Sequence, residues 1–139
     1  MDPRSPRPVF VYGTLRPGFR NWAVAAPFVD RHEPAVLIGH RLHLLEYPTV
    51  VPDEQRRVVG DLLWLRDERT ADGLAALDRF EDHRPDDRDG SLYVRDACSV
   101  TTAAGAVDAW VYRAGPGYAS RCPPGDEVES GEYRDDRGG

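Results

Sequence analysis

No lysine occurs in the 139 residues: all 18 basic residues are arginine, set against 24 acidic ones for a net charge of −6. The absence excludes a Schiff-base or P-loop lysine. The negative balance argues against nucleic acid as a partner, because phosphates are bound by basic surface. Cysteine is scarce, and Cys98 and Cys122 stand at a spacing that matches no zinc or redox motif, so both are expected as free thiols. No apolar run approaches the ~20 residues of a membrane span. The arginine- and alanine-rich usage points to a GC-rich genome, a statement about codons and not chemistry.

What is present is 40% hydrophobic and 30% charged, the balance of one compact soluble domain. A chain of this size buries roughly 70% of its unfolded surface, enough for a core without disulfides or a structural metal. Met1 to Pro8 carry prolines and arginines but no apolar segment, so residues 1–8 read as a disordered lead and not a signal peptide. Residues 9–115 hold the domain. Residues 116–139 turn to glycine, proline and acidic side chains, expected to be partly ordered at most. A cytoplasmic setting follows from this reading.

Val9 to Tyr12 is β-branched and aromatic and stops at the turn Gly13-Thr14-Leu15-Arg16-Pro17-Gly18. Asn21 to Val29 predicts a short helix limited by Pro27. Extended pieces are expected at 35–45, 47–51, 57–66 with Gly60 as a bulge, 91–102 and 106–113. The clearest helix starts at Thr70 as a cap and buries Leu74, Ala75, Leu77 and Phe80 before a charged loop over 82–89. The three tryptophans read as core.

The glycine-rich turn can converge backbone N–H groups on an anion or a polarised carbonyl, although it has neither the P-loop nor the Rossmann spacing. Positions 74, 77, 78 and 81 share one helix face, which places Glu81 at the end of an apolar stripe. Desolvation there, with Asp78 adding like charge, raises a carboxyl pKa toward general acid/base use. The alternative is a solvent-facing Glu81 at a frayed helix end. His40 and His43, three apart in an extended segment, point to opposite faces and cannot share a metal. Cys98 reads as a strand thiol. Tyr93 and Arg95 share a strand face and can bond a carboxylate, with an Arg–Asp pair as the structural alternative.

Taken in order, Val11-Tyr12-Gly13-Thr14-Leu15-Arg16-Pro17-Gly18, Leu77-Asp78-Arg79-Phe80-Glu81 and Tyr93-Val94-Arg95 resemble the γ-glutamylcyclotransferase family of the AIG2-like group. Gly39-His40-Arg41-Leu42, Tyr47-Pro48-Thr49-Val50-Val51, Val59-Gly60-Asp61 and Ser130-Gly131-Glu132-Tyr133 fall where that family has similar segments, so the likeness spans about residues 9 to 133. It implies an α+β fold: a small mixed, strongly curved or barrel-like β-sheet with flanking helices. It also implies Glu81 as the acid/base, with Tyr12, Gly13, Thr14, Leu15, Pro48, Tyr93 and Tyr133 on the substrate. The implied reaction cyclises the γ-glutamyl group of an amine or amide to 5-oxoproline and frees the amine, with no metal, nucleotide or other cofactor. The expected partner is that small molecule, without nucleic acid or membrane; the leaving amine and the oligomeric state stay open. One departure is Asp82, where the family commonly has glycine. The alternatives are a ligand-binding protein of the same fold without turnover, or an interaction module with an acidic tail.

Overall fold

The computed structural model describes residues 8–134, so the expected lead, apart from Pro8, lies outside the described residues, as does the Gly138-Gly139 end. Five strands form a closed barrel: β1 (Val9–Val11), β2 (Val29–Leu44), β3 (Pro48–Leu65), β4 (Tyr93–Thr102) and β5 (Gly105–Ala114), ordered β1-β3-β2-β4-β5 around the wall. Neighbours are antiparallel except β1 and β5, whose parallel pairing closes the ring. Closure gives every strand a neighbour on both sides over part of its length. Helices α1 (Trp22–Ala25), α2 (Thr70–Phe80) and α3 (Pro116–Ala119) flank it, which is the expected α+β class.

Strand alternation divides the core in two. Phe10, Leu37, Val50, Val58, Leu62, Val100 and Val111 point into the barrel, whereas Val9, Val11, Leu63, Leu65 and Tyr112 point out under α1 and α2, where Leu77 is fully buried. Both faces of β1 are covered, so its short run Val9–Val11 is apolar throughout and buried on either side.

Several local expectations are corrected. β3 is one strand joining the expected pieces at 47–51 and 57–66; the charged stretch between them is mostly exposed and shows no alternation, and the register with β2 steps from Arg57 to Pro52 across it. Gly60 is not a bulge: the register slips lie at Val29/Arg31 and Ile38/His40, the second at Gly39 with φ +81°. Gly60 instead lets β1 approach, since a Cβ there would sit 2.2 Å from the Val11 carbonyl oxygen. Thr70 is not the cap but the first helical residue, after a 3-10 turn at Asp67–Arg69, and its hydroxyl donates to the Arg66 carbonyl. Ala75 and Phe80, expected on the buried side of this helix, are exposed, and Gly73 packs against the ring of Phe28. The tryptophans are part-buried, Trp22 and Trp110 against the outer core and Trp64 against the barrel core.

The core also passes the boundary expected at 115. Tyr118, Cys122 and Tyr133 are buried, the Val128 N–H donates to the Leu42 carbonyl at 2.7 Å, and the Val59 N–H donates to the Gly131 carbonyl at 2.8 Å. Cys98 and Cys122 are free thiols. No described helix is long and apolar enough to cross a membrane.

Candidate active site

One cavity of about 410 Å³ opens where four pieces of chain meet: the turn after β1, the tip of the β2–β3 hairpin, the end of α2 and the neighbouring ends of β4 and β5. The turn supplies Tyr12, Gly13, Thr14, Leu15, Arg20 and Asn21; the hairpin tip supplies Tyr47 and Pro48; α2 and its exit supply Phe80, Glu81 and Asp82; the strands add Tyr93 and Tyr112.

The turn is held rigidly. Arg16 N–H donates to the Gly13 carbonyl at 3.1 Å, Asn21 N–H to the Thr14 carbonyl at 2.9 Å, and Asn21 Nδ2 to Thr14 Oγ1 at 2.8 Å. Below it, Arg16 Nε donates to Asp61 Oδ2 at 2.7 Å on β3. The carbonyls are thereby used, while the N–H groups of Gly13, Thr14 and Leu15 find no acceptor among the described residues. Gly13 packs closely on the hairpin tip: a Cβ would lie 3.1 Å from Pro48 Cγ.

Glu81 caps the C-terminus of α2. The next residue, Asp82, has φ 54°; its N–H donates to the Arg79 carbonyl and the His83 N–H donates to the Asp78 carbonyl. These two bonds make a Schellman motif, with Asp82 at the left-handed position that glycine commonly fills. The Asp82 carboxylate is turned onto Arg84, at 3.2 and 3.3 Å.

Asp78 does not face Glu81 as a bare like charge. Arg95 donates to both of its oxygens, at 2.7 and 3.2 Å, and the Tyr112 hydroxyl donates to Oδ1 at 2.7 Å. The Arg–Asp alternative for Arg95 is the one observed, and it ties α2 to β4 and β5. The Glu81 carboxyl keeps an opening to the cavity but is otherwise surrounded by protein, with no hydrogen-bond partner among the described residues. Loss of solvation alone pushes it up to about 8.

Three of the four cavity tyrosines have spent their protons. Tyr12 donates to the Tyr112 carbonyl at 2.6 Å, Tyr93 to the Pro48 carbonyl at 2.6 Å, and Tyr112 to Asp78. Burial, with Glu81 nearby, holds all three hydroxyls well above the ordinary phenol range. Among the described lining residues, Glu81 is therefore the titratable group with an ionisation near neutrality and no partner.

The fold brings Tyr12, Gly13, Thr14, Leu15, Pro48, Glu81 and Tyr93 to this cavity, and it does not bring Tyr133. Tyr133 packs against Phe19, ring centroids 6.0 Å apart, on the barrel side of the turn. Its spacing carries no sign of this, because the chain after α3 returns across β3. Arg20, Asn21, Tyr47, Phe80, Asp82 and Tyr112 line the cavity without having been expected there. Only Phe80 and Asp82 had a local signal, their adjacency to Glu81.

The model of the family described as gamma-glutamyl cyclotransferase, AIG2-like, matches residues 9–135. A protein of Methanocaldococcus jannaschii, provisionally named a gamma-glutamylcyclotransferase, is 33% identical over 135 residues, covering 94% of this chain and 98% of that one. Among solved structures, YkqA of Bacillus subtilis has a TM-score of 0.65 at 22% identity, over 93% of this chain but 40% of that one. An Arabidopsis thaliana protein solved in solution has a TM-score of 0.59 at 27% identity, over 96% of this chain and 72% of that one.

Proposed function

Because the chain belongs to the AIG2-like gamma-glutamyl cyclotransferase family, we propose that it cyclises the γ-glutamyl group of an amine or amide to 5-oxoproline and releases the amine. The observation that carries the reading is Glu81: a part-enclosed carboxyl with no partner, raised to about 8, sharing a cavity with three unused backbone N–H groups.

The nucleophile is already tethered to its target, so the site has to fold the substrate chain and not gather two molecules. Arg20, a cation on the cavity lining, meets the α-carboxylate. Ionised Glu81 takes a proton from the α-ammonium. The freed nitrogen attacks the γ-carbonyl carbon, forming the lactam C–N bond, and the oxyanion is received by the N–H groups of Gly13, Thr14 and Leu15. As the oxyanion collapses, the bond from carbon to the leaving nitrogen breaks, and protonated Glu81 returns its proton to that nitrogen. The ring nitrogen releases its extra proton, so charge and atoms balance with no water consumed. Tyr12, Tyr93 and Tyr112 frame the cavity and stay protonated.

The test is Glu81→Gln, which keeps shape but carries no exchangeable carboxyl proton. Its expected outcome is loss of 5-oxoproline release, measured by mass spectrometry on a panel of γ-glutamyl amides, with substrate affinity within about tenfold of wild type. A Gln variant releasing 5-oxoproline at the wild-type rate overturns the assignment.

A further inference from the structure

The body of α2 is seated by its buried residues Thr70, Gly73 and Leu77, whereas its last side chain, Phe80, is 42% exposed. Apolar packing therefore stops a turn short of Glu81. The final turn is held instead by Asp78. Its carboxylate accepts from Arg95 at 2.7 and 3.2 Å and from the Tyr112 hydroxyl at 2.7 Å, and its carbonyl accepts the His83 N–H at 2.8 Å. Arg95 is itself pinned, its guanidinium 4.4 Å from the centre of the Trp110 ring and its N–H donating to His83 Nδ1 at 3.3 Å.

Tyr112 joins this network to the other half of the site. Its carbonyl accepts the Tyr12 hydroxyl at 2.6 Å, and Tyr12 immediately precedes Gly13, Thr14 and Leu15. Tyr112 is thus tied through its side chain to the helix that carries Glu81 and through its main chain to the start of the N–H cradle. A bidentate arginine and a hydroxyl fix direction as well as distance. An apolar side chain at position 78 would be cheaper to bury but would not fix the angle of the last turn. Asp78 and Arg95 are not among the residues that line the cavity, so any effect they have on the reaction passes through Glu81.

We infer that Asp78 is the positioning residue of this site: held by Arg95 and Tyr112, it sets the Glu81 carboxyl in a fixed place relative to the N–H groups of Gly13, Thr14 and Leu15. The inference rests on the cyclotransferase reading and adds to it the device that aims the acid/base. The test compares Asp78→Asn, Tyr112→Phe and their double variant with wild type. The readouts are kcat and KM on the γ-glutamyl amide that wild type turns over fastest, and a carbon NMR titration of the Glu81 carboxyl, identified by its absence from Glu81→Gln. Thr70→Ala, which removes the bond to the Arg66 carbonyl at the helix start, is the control that lowers the melting temperature and leaves kcat unchanged.

Expected for each single variant is a kcat about ten- to a hundredfold lower with KM within about threefold, the loss that a displacement on the order of 1 Å brings. The double variant loses no more than the worse single one, because the hydroxyl acts through the carboxylate. Asp78→Asn also moves the Glu81 midpoint below about 8, since Arg95 is left uncompensated and the loosened turn admits water. The other charged and titratable groups around Glu81, namely Tyr12, Arg20, Tyr47, Asp82, Tyr93 and Tyr112 on the lining and His83 after it, are the same in that variant. A kcat as high as that of Thr70→Ala in both single variants, or additive losses in the double one, overturns the inference. If Asp78→Asn does not fold, Tyr112→Phe, which lacks a single hydroxyl, decides by its kcat. If wild type frees no 5-oxoproline from any γ-glutamyl amide, the reaction reading falls by itself. The positioning is then decided by the titration, and an unchanged Glu81 midpoint in Asp78→Asn overturns it.

Discussion

At the scale of single residues, Glu81 sets both the rate and a stability cost. Its carboxyl must be ionised to accept the α-ammonium proton, and with a value of about 8 it is mostly protonated at pH 7. kcat/KM is therefore expected to rise with pH and level off above about 8. Bound α-ammonium favours the charged carboxylate, so the kcat profile levels off at lower pH than the kcat/KM profile. Superposition of the two profiles counts against Glu81 as the base. The same shift opposes folding: the native state holds a proton that the unfolded chain releases above its ordinary value of 4.5, so stability falls between there and about 8. Glu81→Gln is expected to raise the melting temperature over wild type more at pH 8 than at pH 5. This residue was legible because Leu74 and Leu77 mark its helix face in sequence. Arg20, Tyr47 and Tyr112 were not, since nothing local says which strands and turns converge on a helix end.

At the scale of elements, the exit of α2 aims Glu81, and Asp82 holds that exit in a left-handed backbone. A non-glycine residue there costs about 1–3 kcal/mol, less for aspartate, which tolerates the region best. Asp82→Gly removes the strain and loses only an exposed ion pair with Arg84, worth about 0–1 kcal/mol. A net gain of up to about 1 kcal/mol in urea unfolding is expected, with Asp82→Val destabilising instead. The turn after β1 makes the complementary case. Gly13 does not need a positive φ, but even a methyl group would press on Pro48. Gly13→Ala is expected to lower kcat/KM through displaced N–H groups more than it lowers the melting temperature, and an unchanged kcat/KM would make the turn a connector. The sequence showed the turn, α2 and the β4–β5 hairpin with bounds close to those observed. It failed for β3, where solvent on both faces of 53–57 removes the alternation that identifies a strand.

At the scale of the whole molecule, the chain beyond residue 115 is fastened to the barrel by a polar knot on β2. Arg41 reaches from that strand to the Cys122 carbonyl at 2.6 Å with Nη2, to Asp53 Oδ2 at 3.4 Å with Nη1, and to His43 Nε2 at 2.8 Å with Nε. For His43 to accept that bond it must be neutral at Nε2, and its buried position beside Arg41 lowers its pKa below the usual imidazole value, against the opposing pull of Asp126 and Glu127. No composition argument could show this, because glycine, proline and acidic residues do not report that a tyrosine and a carbonyl downstream will be captured by a distant strand. The pH consequence has a definite sign. Below the ordinary histidine value of 6.5 the unfolded chain takes up a proton that folded His43 resists, so this group's contribution is present above 6.5 and is lost as pH falls through its lowered folded value. His43→Gln keeps an acceptor for Arg41 without the titration. Its unfolding free energy in urea is expected to fall less steeply than that of wild type between pH 6.5 and pH 5, and parallel slopes in the two proteins would remove His43 from the account.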